Sequence, residues 1–402
     1  MKKILIVSQT MGLGGIERSL LGLLYSVDYT KYDVDLFLMH PEGELMDSIP
    51  KEVHLLPSIS ECTCYAVPIK NVIKKGEIFM CIGRAFAKYK AKSFKKTNRS
   101  SKLYSSVELE YSHKYTMPFV PDLDQKGSVY DLAISFATPH YFVRDKVKAK
   151  KKVAWIHTDY STIEIDKKSE LEMWKVFDYI VGVSEECVGR FLDTFPELMG
   201  KTKVVENILL SETVRKNSCA EIIEKNIFDQ SNINLLSVGR FDGAKNFETI
   251  PEIVKRLQDK GLKVKWYIIG FGQTENNIRK NIKKYNVADS VIILGKKDNP
   301  YPYMKLCDVY VQPSKFEGKC VAVREAQILC KPVIITRYET AMSQVESGVN
   351  GYIIEQGTEN IVKGLYELLS NRECLEVVAQ NCAEKDFGNQ NEIKKVYQML
   401  EE

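Results

Sequence analysis

Two glutamates, Glu317 and Glu325, lie eight positions apart in the stretch PSKFEGKCVAVREAQ, one in a glycine-containing loop and one in the helix expected to follow. An ionised carboxylate only accepts hydrogen bonds, which suits it to binding neighbouring hydroxyl groups. Each glutamate alone is also explained as a surface acid that a helix N-terminus favours through its dipole. The pair indicates a hydroxyl-binding site only if other loops supply complementary groups.

Two cations occupy another loop, in the stretch SVGRFDGAKNFETI. Arg240 and Lys245 follow an apolar strand and precede a helix, so both are expected at the end of the sheet where ligands bind. A leaving diphosphate needs its charge neutralised, and two cations do this without a metal ion. Singly, each residue is more often an ordinary surface cation, but together they predict a phosphate clamp.

The first strand runs into a glycine-rich loop, QTMGLGGIERSLLG, that opens a helix. Backbone N–H groups at Gly14 and Gly15 are expected to approach a phosphate there, because a helix N-terminus favours anions. A tight strand-to-helix turn without a ligand is an equal alternative. The loop does not match the dinucleotide fingerprint, since Glu17 stands at its third glycine position and the strand VDLFLMH ends without the acid that binds ribose. An NAD(P)-dependent oxidoreductase is therefore disfavoured.

Short apolar runs alternate with amphipathic stretches, and the runs form two successive sets. The first set is KILIVS, VDLFLM, DLAISF, KVAWI and YIVGV, and the second is NLLSVG, KWYIIG, VIILG, VYVQP, PVIIT and GYIIE. Such alternation is typical of βαβ units around parallel sheets. It predicts an α/β protein with two Rossmann-like domains, residues 1–205 and 206–384, facing each other across a cleft. A C-terminal helix at residues 385–402 is expected to pack back on the first domain.

Composition bounds the class of protein. The 402 residues, of which 44% are hydrophobic, suit two globular domains, and the net charge of +4 does not indicate a polyelectrolyte binder. The ten cysteines are scattered, so we expect buried thiols and no metal site. The apolar run at residues 4–7 is too short for a signal peptide, and no run of about 18 apolar residues predicts a membrane span. We therefore expect a cytoplasmic protein.

Positive charge is concentrated between residues 70 and 102, within a predicted insertion at about residues 60–122. This stretch holds eleven basic residues and one acid, a net charge of +10. If it is helical, Phe79, Ile82, Phe86 and Tyr89 share one face. It predicts binding to an anionic membrane surface, with a solvated insertion as the alternative. No nucleic-acid partner is expected, because no nucleic-acid-binding module accompanies the charge. The basic face contains Arg84, Lys88, Lys92, Lys95 and Arg99.

Six stretches together resemble the retaining glycosyltransferases of family 4, which have the B-type glycosyltransferase fold. They are GGIERSLLGLL, WIHTDY, VGRFDGAKNFETI, VIILG, EGKCVAVREAQ and PVIITRYETAMSQVESGVNGYII, in the family's order. The most specific feature is the E-x7-E pair placed just before PVIIT. The resemblance implies an enzyme that moves a hexose from a nucleoside-diphosphate sugar, with UDP as the usual carrier. The implied acceptor is a glycan or a lipid-linked glycan in bacterial surface polysaccharide synthesis, on the inner face of the plasma membrane.

The resemblance also implies roles for individual residues. His157, in WIHTDY, takes the position of a histidine that binds a hydroxyl of the donor hexose. Glu317 lies beside the sugar, and Glu325 binds the ribose hydroxyls. Loop residues are expected to bind the sugar and the β-phosphate: Gly318, Lys319, Cys320 and Val321.

The implied mechanism is front-side transfer with retention of the anomeric configuration. Arg240, Lys245 and the amides near Gly14 and Gly15 would stabilise the leaving diphosphate, so no metal and no cofactor are expected. The formal D-x-D matches, DVD at residues 33–35 and DLD at residues 122–124, lie in a strand and in a proline-flanked loop.

The sequence departs from the family pattern at three points. EGKC replaces an EGFG-like stretch, REA replaces LEA, and YET replaces a frequent GG. Because these loops touch the sugar, the identity of the donor hexose stays open. A catalytically silent nucleotide-sugar-binding protein remains the alternative function.

Overall fold

The computed structural model describes residues 1–65, 67–98, 104–123, 129–220 and 227–402. The chain divides into two compact units, one made of residues 1–208 and 391–402 and the other of residues 209–390. Each unit is built around one parallel β-sheet, so the predicted fold class is correct. The division falls at residue 208 rather than at residue 205.

The first unit contains a seven-stranded sheet in the order β3-β2-β1-β5-β6-β8-β9, in which every pair is parallel. The strands β4 and β7 pair separately. Its central strand β1 is buried on both faces, which explains its continuous apolar run. The strands are β1 (Lys2–Ser8), β2 (Tyr32–Leu38), β3 (His54–Leu55), β4 (Tyr104–Ser105), β5 (Tyr130–Ser135), β6 (Ala149–Ile156), β7 (Ile163–Glu164), β8 (Tyr179–Gly182) and β9 (Thr202–Val204).

Seven helices of the first unit surround or extend this sheet. They are α1 (Gly15–Tyr25), α2 (Ile69–Lys74), α3 (Ile78–Thr97), α4 (Val107–Thr116), α5 (His140–Lys146), α6 (Lys167–Trp174) and α7 (Glu185–Thr194). The helices α2 to α4 fall within the predicted insertion. Gly83 lets α3 approach α4 closely, because an added Cβ would lie 2.9 Å from both Thr116 and the backbone oxygen of Tyr115.

The second unit contains a six-stranded parallel sheet in the order β12-β11-β10-β13-β14-β15. The strands are β10 (Ile233–Val238), β11 (Val264–Ile269), β12 (Val291–Gly295), β13 (Val309–Gln312), β14 (Val333–Thr336) and β15 (Tyr352–Ile354). The helices are α8 (Ser211–Asn217), α9 (Ile250–Asp259), α10 (Glu275–Tyr285), α11 (Tyr301–Leu306), α12 (Val321–Ile328), α13 (Thr358–Ser370) and α14 (Arg372–Glu384).

The strand order of each sheet reverses once. In the first unit β1 lies between β2 and β5, and in the second unit β10 lies between β11 and β13. The loops that follow the two central strands therefore leave the sheet in opposite directions and open a crevice at the carboxyl ends of the strands. Ligands of such sheets bind in this crevice. In the second unit, the loops beside it are those that follow β10 and β13.

The chain returns to the first unit through a last helix, α15 (Ile393–Glu401). Tyr397 stacks on Tyr32 with ring centroids 4.3 Å apart, and its hydroxyl accepts the backbone N–H of Asp28. The helix begins later than the predicted residue 385. Residues before it still belong to the second unit, where Phe387 is buried and Asn389 accepts the N–H of Leu209.

Candidate functional site

The two loops at the switch point of the second unit carry most of the chemically interesting residues. The loop after β10 contains Arg240 and Lys245, and the loop after β13 contains Glu317. Because β10 and β13 are neighbours in the sheet, their loops meet although the residues lie far apart in the sequence. Strand order thus creates the site.

The central contact of this site is an ion pair between Lys245 and Glu317. The Nζ atom of Lys245 lies 2.6 Å from Oε1 of Glu317, and the side chains are only 18% and 11% exposed. This oxygen also accepts the hydroxyl of Ser314 at 2.6 Å and, at 3.5 Å, Nε2 of Gln312. Hydrogen bonds to ionised groups are stronger than neutral ones. The pair therefore ties the two loops together.

Burial alone lowers the pKa of Lys245, because the charged form loses hydration. Cys320 and Glu317 oppose this effect and outweigh it, so the pKa of Lys245 lies above its ordinary value. Burial raises the pKa of the Cys320 thiol to about 12, and this sulfur, 3.8 Å from Nζ, is therefore uncharged near neutrality. Glu317 is the charge that keeps Lys245 protonated.

The turn that presents Lys245 has a local cause in the sequence. The Oδ1 atom of Asp242 accepts the backbone N–H groups of Ala244 at 3.0 Å and of Lys245 at 3.1 Å, a turn typical of aspartate. Asn246 follows in the left-handed region, with φ of 59°, and its Nδ2 donates to the Pro313 carbonyl. Asn tolerates this conformation better than most residues. The DGAKN sequence thereby docks one loop on the other.

Arg240 lies elsewhere on the same loop. Its side chain is 76% exposed, and its nearest acidic partner is Asp242, with Nε 3.8 Å from Oδ2. The structure therefore does not bring the two predicted cations into one buried clamp. It shows one paired, buried lysine and one exposed arginine, which suits the arginine to meeting a ligand from solvent.

Glu325 lies on the buried face of α12 and is only 2% exposed. The hydroxyl of Tyr301, at the start of α11, donates to its Oε1 at 2.7 Å. Glu317 and Glu325 therefore have separate partners, and the carboxylate of Glu325 is oriented by a tyrosine that the sequence pattern did not reveal. An aromatic residue 24 positions away, in another loop-helix unit, gives no local signal.

The predicted donor loop ends at the N-terminus of α12. Gly318 and Lys319 are half-buried, Cys320 is buried, and α12 begins at Val321. The backbone N–H of Cys320 already donates to Oε1 of Gln344 at 2.8 Å. Of the loop amides expected to bind the donor, that of Cys320 is thus engaged inside the protein. Gln344 lies 24 positions from Cys320 in the sequence and was not among the predicted site residues.

In the first unit, the glycine-rich loop forms the predicted strand-to-helix turn. The N–H of Gly14 donates to the carbonyl of Gly12 at 3.1 Å, and exposed Gly15 opens α1. A Cβ at Gly14 would lie 2.1 Å from Oε2 of Glu17, so the Glu17 carboxylate lies directly beside this glycine. The carboxylate of Glu17 therefore already supplies negative charge at the helix N-terminus, where a phosphate was expected.

His157 follows β6, at the carboxyl end of the sheet of the first unit. One ring nitrogen, Nε2, lies 3.0 Å from the carbonyl oxygen of Phe136. Burial lowers the pKa of His157 to about 4, although this hydrogen bond acts in the opposite direction. Because a carbonyl only accepts, Nε2 carries the proton of the neutral ring. The other nitrogen, Nδ1, is left as a hydrogen-bond acceptor.

The predicted basic face lies on the helix α3, but its residues differ in solvent exposure. Lys88, Lys92 and Lys95 are exposed. Arg84 is half-buried, and its guanidinium donates to the backbone carbonyls of Cys64 at 3.1 Å and Val67 at 2.7 Å. Placing Arg84 among the surface cations was therefore wrong, because tertiary hydrogen bonds hold it inward. Arg99 lies outside the described residues.

The apolar face of α3 is solvent-exposed as far as the described residues extend. Phe79, Ile82, Phe86 and Tyr89 are between 44% and 68% exposed, while Met80, Gly83, Ala87 and Ala91 face α4 and the rest of the unit. Ile69 and Ile73 of α2 and Ile78 at the start of α3 are exposed as well. Contiguous apolar patches of this kind commonly mark interaction sites.

The first D-x-D match forms a small polar cluster away from the loops described above. Nδ1 of His54 lies 3.2 Å from Asp33 and 3.5 Å from Asp35, which share a face of β2. These atoms lie close enough together to hold a metal ion. The cluster is within the strands rather than at their carboxyl ends. In the second match, Asp122 pairs with Lys146, and Asp124 lies outside the described residues.

Comparison with known proteins shows what the chain is similar to. Residues 219–385 match the family described as glycosyl transferases group 1. The chain is 23% identical over 374 residues to the N-acetylgalactosamine-N,N'-diacetylbacillosaminyl-diphospho-undecaprenol 4-alpha-N-acetylgalactosaminyltransferase of Campylobacter jejuni, covering 92% of this chain and 91% of that one. The structure of Anabaena Alr3699/HepE in complex with UDP and glucose superposes over the full length of both chains with a TM-score of 0.70. The chain therefore has the B-type glycosyltransferase fold.

These similarities differ in identity and in the share of each chain that they cover. The chain is 29% identical to the uncharacterized glycosyltransferase MJ1059 of Methanocaldococcus jannaschii, but only over 174 residues, which is 43% of each chain. Its likeness to HepE, at 14% identity, is one of fold. None of its described helices is both long enough and apolar enough to cross a membrane.

Proposed function

We propose that the enzyme transfers a hexose from a UDP-sugar to a lipid-linked glycan acceptor, with retention of the anomeric configuration and without a metal ion, in bacterial surface polysaccharide synthesis. The observation that carries the donor assignment is the buried Lys245–Glu317 pair at the switch point of the second unit. Support for the carrier comes from HepE, a protein of the same fold that was solved with UDP and glucose. Support for the acceptor comes from the Campylobacter jejuni relative, whose name contains a diphospho-undecaprenol.

In the second unit, Lys245 supplies the positive charge that a departing diphosphate needs. A preformed cation in a site of low dielectric stabilises developing negative charge more than it would in water. Glu317 keeps Lys245 protonated and presents its own carboxylate to the hydroxyls of the sugar. Exposed Arg240 turns onto the phosphates when the donor binds. These cations do the electrostatic work that a divalent metal ion does in other transferases.

Glu325 binds the ribose hydroxyls of the donor with the carboxylate that Tyr301 orients. The glycine-rich loop contributes the exposed amide of Gly15, whereas the Gly14 amide is engaged by its own turn. For the first unit, we assign His157 as an acceptor of a hydrogen bond from a substrate hydroxyl through Nδ1. It is not a proton-carrying acid near neutrality, because its pKa is about 4.

In an oxocarbenium-like transition state, the bond from the anomeric carbon to the diphosphate oxygen breaks while the acceptor oxygen bonds to that carbon from the same face. The proton of the acceptor hydroxyl passes to the departing diphosphate oxygen. A double displacement would need a carboxylate close beneath the anomeric carbon to form a covalent intermediate. We assign no residue to that role. Configuration at the anomeric carbon of the product, read by NMR coupling constants, tests retention directly.

We propose that the enzyme binds the anionic inner face of the plasma membrane through the exposed apolar and basic faces of α3. The apolar residues enter the headgroup region, and the lysines face lipid phosphates. A lipid-linked acceptor resides in the same layer. Membrane binding would therefore raise the local concentration of the acceptor at the enzyme.

The assignment is tested by release of UDP from a panel of UDP-sugars, with and without a lipid-linked glycan acceptor. Acceptor-dependent release from at least one UDP-sugar is the expected result. Thermal protection by UDP-sugars without any turnover would instead identify a catalytically silent sensor. Loss of activity on chelation, restored by a divalent ion, would contradict the proposal of metal-free catalysis.

A further inference from the structure

The segment that follows β14 holds the donor loop at its two ends. The hydroxyl of Thr340 donates to the backbone carbonyl of Glu317 at 2.9 Å. Four residues along, the side chain of Gln344 makes two hydrogen bonds to Cys320: Oε1 accepts its N–H at 2.8 Å, and Nε2 donates to its carbonyl at 2.9 Å. The hydroxyl of Tyr338 adds a third bond, to Oε1 of Gln344 at 3.2 Å.

These contacts lie inside the protein. Tyr338, Gln344 and Cys320 are each no more than 3% exposed. A buried hydrogen bond contributes only about 1 kcal/mol net, but leaving a buried donor or acceptor unpaired costs about 1–3 kcal/mol. Removal of the Gln344 amide would leave the buried N–H of Cys320 without its partner, while the Cys320 carbonyl would keep only the N–H of Val323, at 3.2 Å. The loop would then be expected to shift to recover a partner for this N–H.

Cys320 is a sensitive point for such a shift. It immediately precedes α12 and lies three residues after Glu317. A change in its backbone therefore moves the carboxylate that pairs with Lys245 on one side and the start of α12 on the other. The YET and EGKC stretches, both of which depart from the family pattern, are joined by these bonds.

We propose that Gln344 is a positioning residue for sugar transfer: its amide fixes the backbone of Cys320 and so sets Glu317 against Lys245. Gln344 acts without touching the substrate, and the Cys320 N–H makes no contact with the donor. This proposal rests on the proposed function for its kinetic consequences, but the hydrogen bonds between Gln344 and Cys320 are a property of the protein alone.

The kinetic test replaces Gln344 with methionine, which has similar size but neither hydrogen-bonding group. The matched control is Gln258→Met in the same unit, because Gln258 lies in α9, remote from the donor loop in sequence, and its side chain donates to the Ser290 hydroxyl at 2.8 Å. We expect kcat to fall about 10- to 100-fold in Gln344→Met, since misplacement by about 1 Å costs up to about 100-fold. The Kd for free UDP should stay within about 3-fold of wild type in both variants.

A second readout does not depend on activity. Cys320 is buried, so a thiol reagent labels it only when the loop opens, and Cys307, buried in the same unit, serves as the internal reference. Mass spectrometry should show Cys320 labelled at least about 10-fold faster, relative to Cys307, in Gln344→Met than in wild type or Gln258→Met. This measurement tests whether Gln344 holds the Cys320 loop even if no UDP-sugar is turned over. A lack of turnover would count against the proposed function alone.

Wild-type kcat and wild-type labelling in folded Gln344→Met would overturn the proposal. So would a loss of kcat that occurs only above the temperature at which the variant begins to unfold, because that result describes a purely structural role. If Gln344→Met does not fold, Gln344→Glu replaces it. This variant keeps the acceptor for the Cys320 N–H, and its activity should rise as the pH falls, because the protonated carboxyl can again donate to the Cys320 carbonyl.

Discussion

Replacing Lys245 with methionine removes the buried cation while it keeps most of the side-chain volume. Glu317 then stays in a site where its side chain is 11% exposed, with the hydroxyl of Ser314 as its strongest remaining partner. Breaking a buried ion pair from one side costs about 3–5 kcal/mol, because the other charge is left uncompensated. The serine hydrogen bond offsets part of this loss, so we expect Lys245→Met to lower the free energy of unfolding by about 3 kcal/mol.

The double variant Lys245→Met with Glu317→Gln separates stability from catalysis. Replacing both charges by neutral groups of similar shape is often close to neutral for stability. The double variant should therefore regain all but about 1 kcal/mol of the loss, measured by urea unfolding at pH 7. Turnover should not return with it. Both variants should be at least about 100-fold below wild type in kcat, because the cation that stabilises the leaving diphosphate is absent in each.

The assay is UDP release under donor saturation at a temperature where both variants are folded. If turnover recovers together with stability in the double variant, Lys245 acts only as a structural partner of Glu317, and its assignment to the leaving group is wrong. Arg240→Ala serves as the companion variant. Since Arg240 is exposed, it should lower kcat without a measurable change in the free energy of unfolding.

Three further predictions test other parts of the site. Glu325→Ala should weaken binding of free UDP by at least about 10-fold in calorimetry, as expected for losing a hydrogen bond to a charged group. Glu317→Ala should instead lower turnover and leave the Kd for UDP within about 3-fold of wild type. Equal losses of UDP affinity in the two variants would contradict the division of roles. His157 has a lowered pKa in the folded state, so its contribution to stability is complete above about pH 6.5 and is lost as the pH falls toward 4. Between pH 7.5 and 4.5, the free energy of unfolding of wild type, measured in urea, should fall by at least about 1 kcal/mol more than that of His157→Gln. Equal losses would contradict the burial of the neutral ring. Replacing three exposed lysines with glutamine should lower binding to anionic vesicles at low salt by about 100-fold, at about 1 kcal/mol each, while binding to neutral vesicles stays unchanged; unaltered binding would remove α3 as the anchor. These lysines are Lys88, Lys92 and Lys95.

The fold was largely predictable because its strands are buried on both faces. A strand in the middle of a parallel sheet reads as an uninterrupted apolar run, and each of the eleven predicted runs corresponds to a strand of the two large sheets. The strands that were not predicted, β3, β4, β7 and β9, have only two or three residues. Such segments pair at a sheet edge or in a small separate ladder, where neither face must be apolar, and so they leave no pattern.

The site was predictable as a set of residue types and not as a set of contacts. Lys245 and Glu317 are 72 positions apart, and they meet only because β10 and β13 are neighbours in the sheet. Alternating apolar runs indicate a parallel sheet but do not give its strand order. The same limit explains Arg84, whose place in the helical period predicted a surface cation. Its two carbonyl partners belong to a loop nearly twenty residues earlier, which periodicity cannot register.

The two glutamates lie on either side of the point where the loop changes to the helix α12. Between them lies Cys320, the residue at which loop changes to helix. Glu317, on the loop side, reaches across to Lys245, whereas Glu325, one to two turns into α12, points to the buried face and to Tyr301. Because each carboxylate is held by its own partner, a shift of the loop can alter the first without altering the second. In the proposed function, the spacing therefore separates the carboxylate assigned to the sugar from the one assigned to the ribose, and the backbone of Cys320 lies between them.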